Sequence, residues 1–321
     1  MNLVDIYMKL KGDVQYIERE LEKSIDTRSR ELYQSSTHLL SAGGKRIRPV
    51  FVLLGGKWGN YDVTKLKNVA VPLELIHMAS LVHDDVVDNA DKRRGRDTVK
   101  AKWDNRVAMY TGDYIFARAL SIASELQNPE VHRILSKAIV EMCIGEIQQV
   151  KDLNNWNQNL RDYLRRIKRK TALLISTSCQ LGAVASGAAP EYVRGMFRYG
   201  YNVGMAFQIT DDILDFTGTE KQLGKPAGSD LRQGNITLPA LYSATQGASR
   251  EKFQHWIATD SVHEHIDEAI QLIREGEGIA VARQLADRYL NLAREALAGL
   301  PNNDAKRSLL EIADFISGRN F

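Results

Sequence analysis

Residues 80–97 read "SLVHDDVVDNADKRRGRD": three aspartates, Asp84, Asp85 and Asp88, stand in an apolar frame, and a basic cluster follows at once. At about 100° per residue, a helix brings His77, Ser80, Asp84 and Asp88 onto one stripe. Leu73, Ile76, Met78, Leu81 and Val82 make the rest of that helix apolar. A polar stripe on an apolar helix lines something. The arrangement returns at residues 208–218, "QITDDILDFTG", where Gln208, Asp211, Asp212 and Asp215 stack likewise. Gly204 and Gly200 lie one and two turns earlier. Each glycine costs about 1 kcal/mol against alanine in a helix interior, which argues for close approach by another helix or a ligand.

Working outward, apolar residues recur at helical spacing in "YMKLKGDVQYIERELEKSI", "VHRILSKAIVEMCIGEIQQV" and "AVARQLADRYLNLAREALAGL", and alternating strand-like runs are hard to find. Short breaks such as "SAGGKRIRP", "NADKRRGRD", "KDLNNWNQN" and "TGTEKQLGKPAGSD" cut the chain into about a dozen helices. No linker or shift of composition divides the chain, so residues 1–321 are expected to form one all-α domain. With 44% apolar residues and seven prolines in 321, a helical globular protein is expected. A formal charge of +3, from 43 basic and 40 acidic residues, gives no global field for nucleic acid or an anionic membrane. Any basic function is therefore local. Cys143 and Cys179 stand far apart and at no metal-ligand spacing, as expected of a reducing, cytoplasmic compartment. The N-terminus carries an early acid and no sustained apolar core, and no run of apolar residues is long enough to span a membrane.

Clustered carboxylates repel: two unit charges 4 Å apart cost about 4 kcal/mol at an effective dielectric near 20. All-oxygen ligation by Asp, without His and Cys arranged around it, suits a hard ion such as Mg²⁺, which keeps waters and bridges to phosphate. The bases that follow each motif, Arg93 and Arg94 in one case and Lys225 in the other, supply what a phosphate bridged by those ions still lacks. For one motif alone, a solvated helix cap would serve as an explanation; two matching motifs weigh against it. A ferritin-like carboxylate bundle needs two Glu-x-x-His pairs, and only Glu74 with His77 is present.

"GGKRIRP", residues 43–49, gathers Lys45, Arg46 and Arg48 before Pro49, which suits the first helical position. Such a helix start is an anion site; a surface basic turn would look similar. "RRIKRKTA", residues 165–172, is richer in base, but no aromatic interleaving supports a nucleic-acid patch. On a helix its cations point around much of the circumference, so most are expected in solvent.

Taken together, "GGKRIRP", "LIHMASLVHDDVVDNADKRRG", "KTA", "FQITDDILDF" and "GKPAGSDLRQGNITLP" resemble, in order, the motifs of the all-trans polyprenyl diphosphate synthases, over roughly residues 35–245. Within that family, "HLLSAGGKRIRPVFVLL", "AKWDNRVAMYTGDY" and "YLRRIKRKTALLISTSCQLGA" are most similar to the large catalytic component, component II, of bacterial heptaprenyl diphosphate synthases. The resemblance implies an isoprenoid-synthase-type helical bundle around a central cavity, with two facing Asp-rich helices. It implies repeated head-to-tail joining of an allylic diphosphate, farnesyl diphosphate first, to isopentenyl diphosphate. The product would be heptaprenyl diphosphate for a menaquinone side chain, and a small partner, component I, would be required. Asp84, Asp88 and Asp211 would hold Mg²⁺ ions on the allylic diphosphate, with Asp85, Asp212 and Asp215 supporting. Arg93, Lys170 and Lys225 would contact that diphosphate, and Lys45, Arg48, His77 and Arg94 would bind isopentenyl diphosphate. Charge developing on the departing diphosphate is met by cations. Thr171 and Gln208 offer oxygen dipoles to the allylic cation, and no protein nucleophile is required.

One position departs from the family pattern: where many relatives have Gly-Lys-x-Thr-Leu-Pro, this chain has Gly234-Asn235-Ile236-Thr237-Leu238-Pro239. For product length, Ala79 and Ser80 lie one turn below Asp84, where short-chain relatives carry an aromatic side chain, and the next residue down is Ile76. Ile76 is the candidate for part of the pocket floor. Two other readings stand beside this one, a class I terpene cyclase and a non-catalytic regulatory subunit of a prenyl synthase. Lys45 and Arg48 weigh against the first, and two complete Asp motifs against the second.

Overall fold

The computed structural model describes residues 3–44, 46–93, 95–220 and 226–318. Lys45, Arg94 and Lys225, three of the expected diphosphate contacts, lie outside the described residues. As expected, helices dominate the described residues, and their only strands form one short hairpin. The chain packs as two compact units, one of Met1–Ser136, Thr177–Phe197 and Leu300–Leu309, the other of Lys137–Ser176, Arg198–Gly299 and Leu310–Phe321. Each unit is assembled from three separate stretches of sequence.

The first unit contains α1 (Leu3–Lys9), α2 (Lys11–Ser24), α3 (Arg30–Ser41), α4 (Ile47–Gly56), α5 (Val63–Val87), the single-turn α6 (Val99–Lys102) and α7 (Asn105–Ala123). Its centre is α4 and α5. Every residue of α4 from Pro49 to Gly56 is buried, and thirteen residues of α5 are buried on all sides, Pro72 among them. A helix apolar around its circumference belongs inside a core; α5 packs most extensively along α7. Asp62 caps the start of α5, its carboxylate accepting from the Thr64 N–H at 2.9 Å.

Two glycines let α4 lie against α10 (Leu173–Ala185). A methyl at Gly55 would strike the Cys179 carbonyl, and one at Gly182 the Val52 carbonyl. α4 begins two residues earlier than its proline indicates, so Pro49 is the third helical residue rather than the first. The first-turn N–H groups have no intrahelical partner, which is why proline is tolerated there.

The sequence gives no warning of a hairpin, yet after α5 a two-stranded ladder forms, β1 (Lys92–Arg93) and β2 (Arg96–Asp97), with Lys92 opposite Asp97. Gly95, at φ +77°, makes the turn, and Lys92 and Asp97 form an ion pair at 2.8 Å.

Across the two units' sequence ranges run α8 (Pro129–Lys151), α10 and α11 (Pro190–Thr217). In the second unit lie α9 (Leu160–Ile167), the short α12 (Ser229–Arg232), α13 (Leu238–Thr245), α14 (Arg250–Ala258), α15 (Ile266–Glu275) and α16 (Gly278–Ala298). α17 (Asp304–Ser317) follows them. The second unit's core gathers Tyr163, Ile167, Ala172, Met205, Ile209, Ile213 and Phe216 beneath the second acidic motif. Between α9 and α10, Lys168–Ala172 forms a single π-helical turn, in which the Leu173 N–H bonds back to the Lys168 carbonyl. Such widened turns are frequent at functional sites. As its sequence cost implied, Gly204 marks a close helix approach: a methyl there would fall 2.5 Å from Ala172 Cα. No helix among the described residues is long and apolar enough to cross a membrane. Both cysteines are free, Cys143 exposed and Cys179 buried.

Candidate active site

Both acidic motifs sit where helix physics disfavours them. Asp84 and Asp85 occupy the last turn of α5 and Asp88 is its C-cap; Asp211, Asp212 and Asp215 occupy the last turns of α11, which ends at Thr217. The carbonyl end of a helix already carries about half a negative charge, and each acid placed there costs about 0.3–1 kcal/mol. A cation relieves both charges at once. Asp85 is 3% exposed and receives Arg93 Nε at 2.9 Å and Nη2 at 2.8 Å. Burial pushes the Asp85 carboxyl up, against the pull of Arg93. The hairpin thus returns one of the expected bases to the motif it follows. Asp84 is half-buried and Asp88 exposed.

One cavity of this unit is lined by His77, Glu74, Leu81, Asp85 and Arg93, together with Arg46. Of the residues on the expected stripe, His77 lines this cavity, and Ser80, Asp84 and Asp88 do not. Of the basic residues in "GGKRIRP", Arg48 is half-buried in the first turn of α4. Arg46 has a different task. It takes a left-handed backbone (φ 46°, ψ 37°) as the N-cap and is 7% exposed. Its guanidinium donates to both Glu18 oxygens at 2.7 Å, to Glu74 Oε1 at 3.3 Å and to the Leu40 carbonyl at 3.2 Å. Glu74 is thereby spent on an ion pair. Its other oxygen is buried without a hydrogen-bond partner, and its charge, after burial itself, helps push the Tyr7 phenol up to about 12.

In the second unit Asp212 is 2% exposed and both its oxygens are engaged. Tyr163 Oη donates to Oδ2 at 2.6 Å and Gln208 Nε2 to Oδ1 at 2.8 Å, while Thr171 Oγ1 donates to Gln208 Oε1 at 2.6 Å. Burial first, then the charge of Asp230, raises the Asp212 carboxyl to about 7. Asp215, also 2% exposed, accepts from the Asp230 N–H at 3.0 Å, and its carbonyl accepts from the Gly228 N–H at 2.7 Å. Asp211 is half-buried. Lys170 is exposed on the π turn, its Nζ donating to Gln149 Oε1 at 3.0 Å. The structure therefore brings Thr171, Gln208 and Asp212 together.

The basic run 165–172 does not lie mostly in solvent as its periodicity implied. Arg166 is 7% exposed, donating to Gln158 and to the Ile236 carbonyl, and Arg169 pairs with Glu141 at 3.0 Å. Asn235, in the place of the family's lysine, is half-buried, its N–H bonded to the Asp230 carbonyl at 2.8 Å. The product-length candidates Ile76 and Ala79 are each 1% exposed; Ser80 is half-buried and donates to the His77 carbonyl at 2.8 Å.

Sequence reading missed Tyr163 and the Arg46–Glu18 pair. Tyr163 had a signal: it stands four residues before Ile167 on an apolar face, and a buried phenol needs a partner. Among the described residues no three His, Cys, Asp or Glu side chains already form a closed metal cage. At each helix end taken by itself the donors nevertheless suit a hard divalent cation, being carboxylates alone at the negative pole of the helix.

Residues 29–273 match the family described as polyprenyl synthetase. The chain is 54% identical to heptaprenyl diphosphate synthase component 2 of Geobacillus stearothermophilus, over 100% of both chains. The solved heptaprenyl diphosphate synthase of Staphylococcus aureus aligns with a TM-score of 0.92 at 42% identity, covering 97% of this chain and 99% of that one. A polyprenyl synthase of Caulobacter crescentus, complexed with calcium and isoprenyl diphosphate, aligns at 0.89 and 31% identity, covering 98% and 97%. With both acidic motifs at helix ends and these likenesses along its full length, the chain belongs to the polyprenyl synthetase family and is a prenyl-transferring enzyme with the all-α isoprenoid synthase fold.

Proposed function

We propose that the chain is the catalytic component of a heptaprenyl diphosphate synthase. It elongates an allylic diphosphate, farnesyl diphosphate first, with successive isopentenyl diphosphates to all-trans-heptaprenyl diphosphate, the side-chain precursor of a menaquinone. The observation that carries this reading is the end-to-end 54% identity with a component 2 protein. On this reading residues 1–321 act as one synthase domain in the cytoplasm and work with a small component 1.

The metal proposed is Mg²⁺, which would neutralise the departing diphosphate. Asp84, Asp88 and Asp211 would hold it, with Asp85, Asp212 and Asp215 supporting. Arg93, Lys170 and Lys225 would grip the allylic diphosphate, while Lys45, Arg48, His77 and Arg94 would retain the diphosphate of the isopentenyl substrate. Thr171 and Gln208 present oxygen to the allylic cation. No Ser or Cys nucleophile has a part, and the released diphosphate takes the final proton.

The test is product length by chromatography after incubating the chain with Mg²⁺, farnesyl diphosphate and labelled isopentenyl diphosphate, with and without the small component. Seven-unit product from the pair is the expected result; no incorporation under either condition would return the chain to a non-catalytic role. The same assay reads the floor of the pocket. Ile76→Gly should lengthen the product, and phenylalanine at Ala79 or Ser80 should shorten it to about three or four units, since one helical turn of about 5.4 Å nearly equals one isoprene unit. An unchanged ladder from all three variants would remove Ile76, Ala79 and Ser80 from length control.

A further inference from the structure

We propose that Tyr163 is a positioning residue for the transfer step, acting through Asp212 to orient the Gln208 amide so that Gln208 and Thr171 present oxygen to the developing cation. The proposal rests on the prenyl-transfer reading above.

The direction of the hydrogen bonds decides the matter. Tyr163 is wholly buried, so its hydroxyl proton has few places to go, and it goes to Asp212 Oδ2 at 2.6 Å. The other oxygen of Asp212 meets Gln208 Nε2 at 2.8 Å. In its ionised form Asp212 only accepts, and the amide then turns its nitrogen toward Asp212 and its oxygen away. Thr171 then spends its single proton on that oxygen, at 2.6 Å. Thr171 Oγ1 keeps its lone pairs and Gln208 Oε1 keeps one. Oxygen lone pairs fixed in place stabilise an adjacent positive charge; a flipped amide would offer N–H protons instead and repel it.

The packing supports the same assignment. Ala172 lies against Gly204, Thr171 bonds Gln208 and Tyr163 bonds Asp212. Positions 204, 208 and 212 are successive turns of one face of α11. The stretch 163–172 therefore grips that face at three levels, with Tyr163 at the level of the acidic motif. Removing its hydroxyl leaves Asp212 with Gln208 alone and frees the carboxylate to rotate, and the amide with it.

Tyr163→Phe removes only the hydroxyl. In the incorporation assay, with the small component present, kcat should fall about tenfold to a hundredfold, the range found when a group that orients a site residue is lost. KM for both diphosphates should stay within about twofold. In a Gln208→Leu background Tyr163→Phe should cause no further loss, because the two share one path. Equal losses in both backgrounds, an unchanged kcat, or a loss confined to KM would each overturn the proposal. A readout without substrate or metal is the exchange of the Gln208 side-chain amide protons with solvent. They should be protected in the unsubstituted chain and exchange faster in Tyr163→Phe; exchange as fast as a surface glutamine in the unsubstituted chain would overturn the proposal without recourse to any variant. Failure of the unsubstituted pair to incorporate isopentenyl units would sink both readings. Full incorporation with an unaffected Tyr163→Phe sinks only this one.

Discussion

Asp84→Ala should lower turnover by about three orders of magnitude while leaving the folded chain slightly more stable. On the proposed function the loss would come from removing a ligand of the ion that would neutralise the departing diphosphate, where single electrostatic contacts are worth about 10²–10³ in rate. The gain comes from the address of the residue. Asp84 stands in the last turn of α5 beside Asp85 and ahead of Asp88, so its removal relieves like-charge repulsion and the clash with the helix dipole, together about 0.3–1 kcal/mol. Incorporation of labelled isopentenyl diphosphate reads the first effect, and thermal melting of the metal-free chain reads the second. Activity within tenfold of the unsubstituted chain would remove Asp84 from metal binding. A variant that melts lower would show that the carboxylate serves the fold. Asp211→Ala, in the corresponding place near the end of α11, should behave alike.

Arg46→Met should cost about 3 kcal/mol of stability, the low end of the loss caused by taking one partner from a buried ion pair. Arg46 and Glu74 have side chains only 7% and 4% exposed, while Glu18 keeps 39%. Glu18 can therefore turn to water, but Glu74 cannot. Its Oε2 is already buried without a hydrogen-bond partner, and loss of the guanidinium would strand the whole carboxylate. Urea unfolding measures the loss. Adding Glu74→Gln should recover part of it, because a neutral amide is cheaper to bury than an unpaired charge. A double variant no more stable than Arg46→Met would locate the cost in the left-handed backbone at position 46.

The helical class was legible because apolar spacing recurs in nearly every segment, and both acidic motifs were legible because each repeats the other's pattern. α5 shows the limit of periodicity. Its apolar residues surround it, so the stripe of His77, Ser80 and Asp84 stood out as polar positions on a buried helix. Distance in sequence hid the rest. Arg166 looks like a solvated base and Arg46 like part of an anion site because the groups that bury them lie far away, Ile236 in one case and Glu18 and Glu74 in the other. Pro49 was misplaced by two residues because all first-turn positions tolerate proline. The β1–β2 hairpin has two residues per strand, too few to show an alternation. The roles of Thr171 and Gln208 were read from family likeness as two separate dipoles; the structure joins them to each other and to Asp212.

The π turn at Lys168–Ala172 amounts to one extra residue wedged into an otherwise continuous rod from α9 to α10. Each residue of a helix turns it by about 100°, so excising that residue would swing all of α9 through more than a quarter circle relative to α10. Tyr163 and Arg166 would leave their partners together, while every side chain kept its identity. The alignment of α9 with α11 is thus written in a residue count, and a loss of length here would be harsher than most changes of letter.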